Sequence, residues 1–158
     1  MLVICLTLCR FALAQGLPPI GNWREHLPYQ NAIAISGAST VIYAATPYSA
    51  FSIDLEENSI NRLSKINGLS EASVQTIAFD PASNKAVIVY TTGNIDIVHN
   101  QTVRNIDAIK RSQIDGDKTI HHIFIHNNNA FLSTGFGIVV IDLNRYEVSA
   151  TYLIGEGG

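Results

Sequence analysis

Three stretches of this chain repeat one pattern at nearly constant spacing, and that spacing limits what it can fold into. Thr46-Pro47-Tyr48-Ser49-Ala50-Phe51-Ser52-Ile53-Asp54, Thr91-Thr92-Gly93-Asn94-Ile95-Asp96-Ile97-Val98-His99 and Thr134-Gly135-Phe136-Gly137-Ile138-Val139-Val140-Ile141-Asp142 align on their threonines, which lie 45 and 43 residues apart. A β-prone run precedes each threonine: 41–45, 86–90 and 130–133. Another lies further upstream, at 32–35, 74–79 and 120–125, and a fourth follows the Asp or His, at 60–63, 103–106 and 148–152. Four short strands in a unit of ~40–50 residues is the content of one propeller blade.

The connections suit hairpins. Glu56-Glu57-Asn58, Asp80-Pro81-Ala82-Ser83-Asn84, Gly93-Asn94 and Asn127-Asn128-Asn129 supply residues that tolerate turn dihedrals. The runs between them are rich in Ile, Val, Tyr and Phe, which pack well on a pleated surface. No stretch carries a 3.6-residue apolar stripe of helical length; the best, Leu63 to Ser73, is interrupted by Gly68. The expected fold is all-β: a β-propeller of about three four-stranded blades forming an incomplete ring. The blades fall at about 32–73, 74–119 and 120–158. A β-sandwich also uses short strands and tight turns, but it does not require a fixed repeat.

Closed propellers have 4–8 blades. Three would leave an apolar face at each end of the array. The chain stops at Gly155-Glu156-Gly157-Gly158, where a next blade would begin, so it is expected to be the N-terminal part of a longer protein.

Residues 1–14 read as a secretory signal peptide. Met1 to Leu8 is almost wholly apolar, and Ala12-Leu13-Ala14 gives a small-x-small cleavage pattern before Gln15. Cleavage there leaves 144 residues, removes both cysteines (Cys5 and Cys9) and, by taking Arg10, shifts the net charge from −3 to −4. The mature chain would then hold no disulfide and no cysteine-based metal site. Residues 15–31 form an N-terminal strand or linker. Trp23 within it is expected to pack, with ligand stacking as the sharper alternative.

Charged residues are 15% of the chain and apolar residues 47%, so there is ample material for a core. No basic run exceeds Lys110-Arg111, which leaves no clustered cations for nucleic acid. No apolar stretch reaches the ~18 residues of a membrane-spanning helix, so no transmembrane segment is expected after signal cleavage.

Candidate chemistry is sparse. His121, His122 and His126 look like a ligand cluster, but on a strand His121 and His122 point to opposite faces, and His122 and His126 lie ~13 Å apart. Zinc needs its nitrogens within ~2.1 Å of the metal. His26 and His99 have no visible partners. Asp115-Gly116-Asp117 starts like a calcium loop, but Lys118-Thr119 follows and a simple turn is expected. No nucleophile elbow, P-loop or dinucleotide fingerprint occurs, and Gly135-Phe136-Gly137 is not followed by a helix. The sequon Asn100-Gln101-Thr102 falls at an expected hairpin turn. The reading is of a binding module, not an enzyme, with no catalytic, cofactor or metal residues.

Two resemblances follow. Asn67-Gly68-Leu69-Ser70, then Val74, Ile77, Ala78 and Asp80, the Val87-Ile88-Val89 strand and a Gly93 turn resemble the two-component-regulator propeller repeat, without its usual second-strand Trp. The closer resemblance is to the N-terminal β-propeller of the PorZ family, a component of the type IX secretion system of Bacteroidota. It is carried by residues 21–29 (Gly-Asn-Trp-Arg-Glu-His-Leu-Pro-Tyr), 45–49, 62–70, 94–96, 116–120 and 135–143. This resemblance implies a non-catalytic protein exported through the periplasm to the cell surface or outer membrane, with two propellers and a sorting domain. Its implied partners are the sortase and anionic lipopolysaccharide, delivered for cargo attachment. The resemblance places no ligand residues on this chain. The alternatives are the periplasmic sensor propeller of a hybrid two-component histidine kinase, marked by a downstream membrane helix and kinase motifs, and a propeller enzyme, marked by a carboxylate, His or Tyr cluster at the loop face.

Overall fold

The computed structural model describes residues 26–114 and 116–154. Residues 1–14, read above as a signal peptide, Trp23, Asp115 and the terminal 155–158 lie outside the described residues.

Every described strand sits in one of three antiparallel four-stranded sheets, each wound in chain order. Blade 1 holds β1 (Ala34–Gly37), β2 (Val41–Thr46), β3 (Ser49–Asp54) and β4 (Ser59–Leu63). Blade 2 holds β5 (Val74–Asp80), β6 (Lys85–Tyr90), β7 (Ile95–His99) and β8 (Thr102–Ile106). Blade 3 holds β9 (Ile120–His126), β10 (Asn129–Thr134), β11 (Gly137–Asp142) and β12 (Glu147–Leu153). The first strands of successive blades pack together, β1 on β5 and β5 on β9, so the blades radiate from a shared inner edge. Among the described residues the array is an open β-propeller section of three blades.

The packing follows from the two-residue period of a strand. On β6, Ala86, Ile88 and Tyr90 join the core shared with blade 1, while Val87 and Val89 join the core shared with blade 3. On β7, Val98 faces blade 1, and Ile95 and Ile97 face blade 3. Blade 2 is therefore buried on both faces, and all six residues of β6 are buried. A strand covered on both sides is expected to read as a continuous apolar run, as 86–90 does. The small residues Ala45, Ala50 and Ala86 sit in the first joint and let the sheets approach closely.

Blades 1 and 3 each turn one face outward. Ile35 (70% exposed) and Ile60 (64%) lie on the outer face of blade 1, and Phe124 (58%) and Tyr152 (59%) on that of blade 3. The segment preceding β1 partly covers blade 1. Tyr29 meets Phe51 edge-on at 5.9 Å, and the Arg62 guanidinium lies 5.4 Å from the Tyr29 ring centre. The Tyr29 hydroxyl is buried without a hydrogen-bond partner among the described residues.

The turns use residues that accept left-handed backbone. Asn100-Gln101 and Asn127-Asn128 have positive φ at both positions, the geometry that matches a two-residue hairpin to strand twist. Between blades, the chain makes one 3-10 turn at Lys65–Asn67, ended by Gly68 at φ +111°, and one helical turn, α1 (Ala108–Arg111). Both are too short to print a helical period on the sequence.

Gly137 opens β11 at φ +146°, and a Cβ there would lie 2.0 Å from the Tyr152 carbonyl oxygen. That oxygen belongs to the paired strand and cannot retreat without breaking the ladder. Gly137→Ala is expected to lower stability by about 3 kcal/mol, from a clash and a disfavoured backbone together. Denaturant unfolding checks this, and a loss below about 1 kcal/mol would mean the backbone relaxes freely.

Candidate functional site

A polar network lies at the end of the array where the blade-to-blade connections meet the 91–94 turn. At their centre is Asp96, on β7 of the doubly covered blade and fully buried. Its carboxylate accepts four hydrogen bonds. Ser70 donates its backbone N–H at 2.7 Å and its hydroxyl at 2.7 Å, Tyr90 donates its hydroxyl at 2.5 Å, and Asn105 donates Nδ2 at 2.8 Å. Burial, and then the hydrogen bond to the Asp96 carboxylate and its charge, push the Tyr90 hydroxyl far above the usual phenol range. Tyr90 therefore stays protonated and remains a donor. With both oxygens saturated, Asp96 is a latch and not a base: it ties the 64–73 connection from blade 1 onto the sheet of blade 2.

A second carboxylate extends the network outward. Glu71 accepts from Lys110 Nζ at 2.6 Å, Thr92 Oγ1 at 2.7 Å and Asn94 Nδ2 at 3.0 Å. Asn94 Oδ1 in turn accepts from Asn105 Nδ2 at 3.0 Å, which joins the two carboxylates through one amide pair. Beside them opens a cleft of about 660 Å³, lined by Lys65, Ser70, Glu71, Ser73, Asp107 and Arg111 among others. Arg111 is paired with Asp107 at 2.7 Å. The cleft is polar, open and of mixed charge.

Partial burial would raise the Glu71 carboxyl, but hydrogen bonds from Lys110, Thr92 and Asn94, together with the Lys110 charge, hold it below the usual carboxylate range. A folded-state value below the unfolded one adds stability above the unfolded pKa and loses it as pH falls through the folded value. The wild-type chain is therefore expected to lose stability more steeply than Glu71→Gln on acidification below the ordinary glutamate pKa. Parallel stability curves for the two proteins, from denaturant titrations at stepped pH, would contradict this.

The histidines do not converge. A register shift at Ser133/Thr134 leaves His121 without a partner on β10, and His121 and His122 are both exposed. His121 Nε2 lies 3.9 Å from Asp117, and His126 stacks on Phe124 with ring centres 6.2 Å apart. Thr119 donates its backbone N–H to Asp117 at 2.9 Å in a tight turn, and bonds from Thr119 hold the Asp117 carboxyl below its usual range. Among the described residues no group of three or more His, Cys, Asp or Glu side chains is placed to hold a metal ion. The sequon Asn100-Gln101-Thr102 spans the two-residue β7–β8 turn.

Sequence reasoning missed the Asp96 latch and the Glu71 network. One signal was available: Asp96 is a lone charge between Ile95 and Ile97 on the most apolar blade, and such a residue must find partners or not be buried.

Three antiparallel blades about a common inner edge define a section of a β-propeller. The model of the PorZ N-terminal β-propeller domain of the type IX secretion system matches residues 42–157, and the chain belongs to that family. Among solved structures it is similar to PorZ of Porphyromonas gingivalis, described as an essential bacterial surface component of that system. The identity is 32% and the TM-score 0.71, over 77% of this chain and 17% of that one. The chain thus spans about a sixth of the length of that relative. It also shares its fold with the extracellular domain of a hybrid two-component system of B. thetaiotaomicron (9% identity, TM-score 0.62, 78% and 17% covered). AztD of Citrobacter koseri shares the fold too (16%, 0.60, 79% and 34%). No curated protein matches the sequence. No helix among the described residues is long and apolar enough to cross a membrane.

Proposed function

We propose that this chain is a non-catalytic, exported propeller module of a type IX secretion system, assisting cargo attachment at the cell surface by helping to deliver anionic lipopolysaccharide to the sortase. The observation that carries this reading is the family match across 42–157, joined to the structural similarity with a surface component of that system. The carboxylates fit a non-catalytic role. Asp96 is saturated by four donors and Glu71 by three, so neither is left to move a proton. Periplasm-to-surface export accords with the signal-peptide pattern of residues 1–14.

Deleting the gene that encodes this chain tests the reading. Type IX cargo is expected to accumulate in the periplasm without its glycolipid anchor. Normal cargo attachment at the surface would overturn the proposal. A sensor propeller of a hybrid histidine kinase is the second reading, favoured by the shared fold with such an extracellular domain. It predicts intact cargo export and a lost transcriptional response in the same deletion strain.

A further inference from the structure

Propeller blades radiate, so their outer strands diverge and leave a wedge between neighbours. The two wedges of this molecule are treated differently at matching positions. Between blades 2 and 3 the wedge is plugged. Tyr146, at φ +57° just before β12, lies between two cations: Lys85 Nζ is 4.9 Å and Arg104 Cζ 5.7 Å from its ring centre. Lys85 Nζ also donates to the Leu143 carbonyl at 2.6 Å, which ties β6 to the β11–β12 turn.

Between blades 1 and 2 every part of that plug is replaced. Gln101, at φ +65° just before β8, stands where Tyr146 does; Val41, first in β2, where Lys85 does; and Asn61, third in β4, where Arg104 does. The result is an open cleft of about 380 Å³. Val41, Leu63, Val98 and Tyr43, the last stacked on Phe79 at 5.0 Å, lie at its floor, but Leu63 and Val98 are almost wholly buried, so the surface it offers is mostly polar. Around this floor stand the carboxamides of Asn61, Asn84, Asn100 and Gln101. The Asn84–Asn100 contact is long, at 3.4 Å, and the side chains of Asn61 and Gln101 make no hydrogen bond among the described residues.

The geometry points to this cleft as a binding site for a neutral, hydroxyl-rich ligand, a short uncharged glycan. Each carboxamide offers an acceptor and two donors in one plane, which matches adjacent hydroxyls that also donate and accept. The mostly polar surface of the cleft suits a hydroxyl-rich ligand better than an apolar one. No lysine or arginine lines the cleft to balance an anion. Asp54 adds a carboxylate at the rim, and one of its oxygens is already taken by the backbone N–H groups of Glu56 and Glu57. The site therefore disfavours phosphate and carboxylate ligands, and it stands or falls separately from the anionic glycolipid of the proposed function. An extended peptide would seek free backbone on a strand edge, whereas the cleft offers amide side chains.

Saturation-transfer NMR on the whole chain with mannotriose, maltotriose and chitotriose tests the site. Transfer to at least one of them is expected. It should vanish in Gln101→Tyr, which puts a ring at the position Tyr146 holds one blade on, and weaken about tenfold in Asn61→Ala, equivalent to the loss of one or two hydrogen bonds. Both variants should keep the wild-type melting temperature, since both positions are exposed. The proposal is overturned if none of the three sugars shows transfer, if transfer survives in both variants, or if a phosphorylated sugar or an extended peptide competes the trisaccharide away.

Discussion

Asp96→Ala is expected to destabilise the protein by about 3–5 kcal/mol, because it strands several buried donors at once. The Tyr90 hydroxyl, the Ser70 N–H and hydroxyl, and the Asn105 amide all point at a carboxylate that would be gone. Water could replace it only by opening the joint between blades 1 and 2. Asp96→Asn keeps one acceptor oxygen but turns an NH2 group toward donors, so its loss should be intermediate, about 2–3 kcal/mol. Tyr90→Phe removes one donor and leaves three, so it should cost least, on the order of 1 kcal/mol. The ordering is the diagnostic. If alanine at position 96 costs less than about 1 kcal/mol in urea unfolding, the latch holds nothing.

Ile88→Ala should cost about 2–5 kcal/mol, from lost burial and the cavity left behind. Ile60→Ala, the same chemical change on the outward face of blade 1, should fall within about 0.5 kcal/mol of wild type. Ile88 is fully buried between blades 1 and 2, whereas Ile60 is 64% exposed. The contrast separates position from residue type. Equal losses at the two sites would show that a further body covers the outer face of blade 1 in solution, or that the joint repacks around position 88.

Much of the fold could be read in the residues because a propeller reuses one sheet. The upstream runs at 74–79 and 120–125 fall on β5 and β9, and those at 86–90 and 130–133 on β6 and β10. Val41–Ala45 lies within β2. Alternation and turn chemistry are local, so they survive in the sequence. The least accurate start was the first strand: the run at 32–35 begins two residues before β1, where Ile33 makes an isolated backbone bond to Ala45. Bulges were harder. Nothing in Ile120-His121-His122-Ile123 announces the register shift that leaves His121 unpaired, because it depends on the partner strand β10.

The polar site was less legible for the same reason. Ser70 and Asp96 are 26 residues apart, and Lys110 and Glu71 are 39 apart. No spacing rule links residues brought together by the stacking of one blade's exit loop on the next blade's sheet. The plug of Lys85, Arg104 and Tyr146 is equally non-local. Its absence from the other joint becomes visible only when matching positions of two blades are compared in three dimensions.

The central claim is that blade 2 is a sheet buried on both faces while its neighbours are buried on one. Amide hydrogen exchange, resolved by peptide mass spectrometry across the whole chain, reads this most directly, because protection tracks the depth and cooperativity of burial. The slowest exchange is predicted in 85–90 and 95–99, with faster exchange in the outer strands 59–63 and 147–153. Uniform protection across the three blades, or slowest exchange in 147–153, would contradict the account.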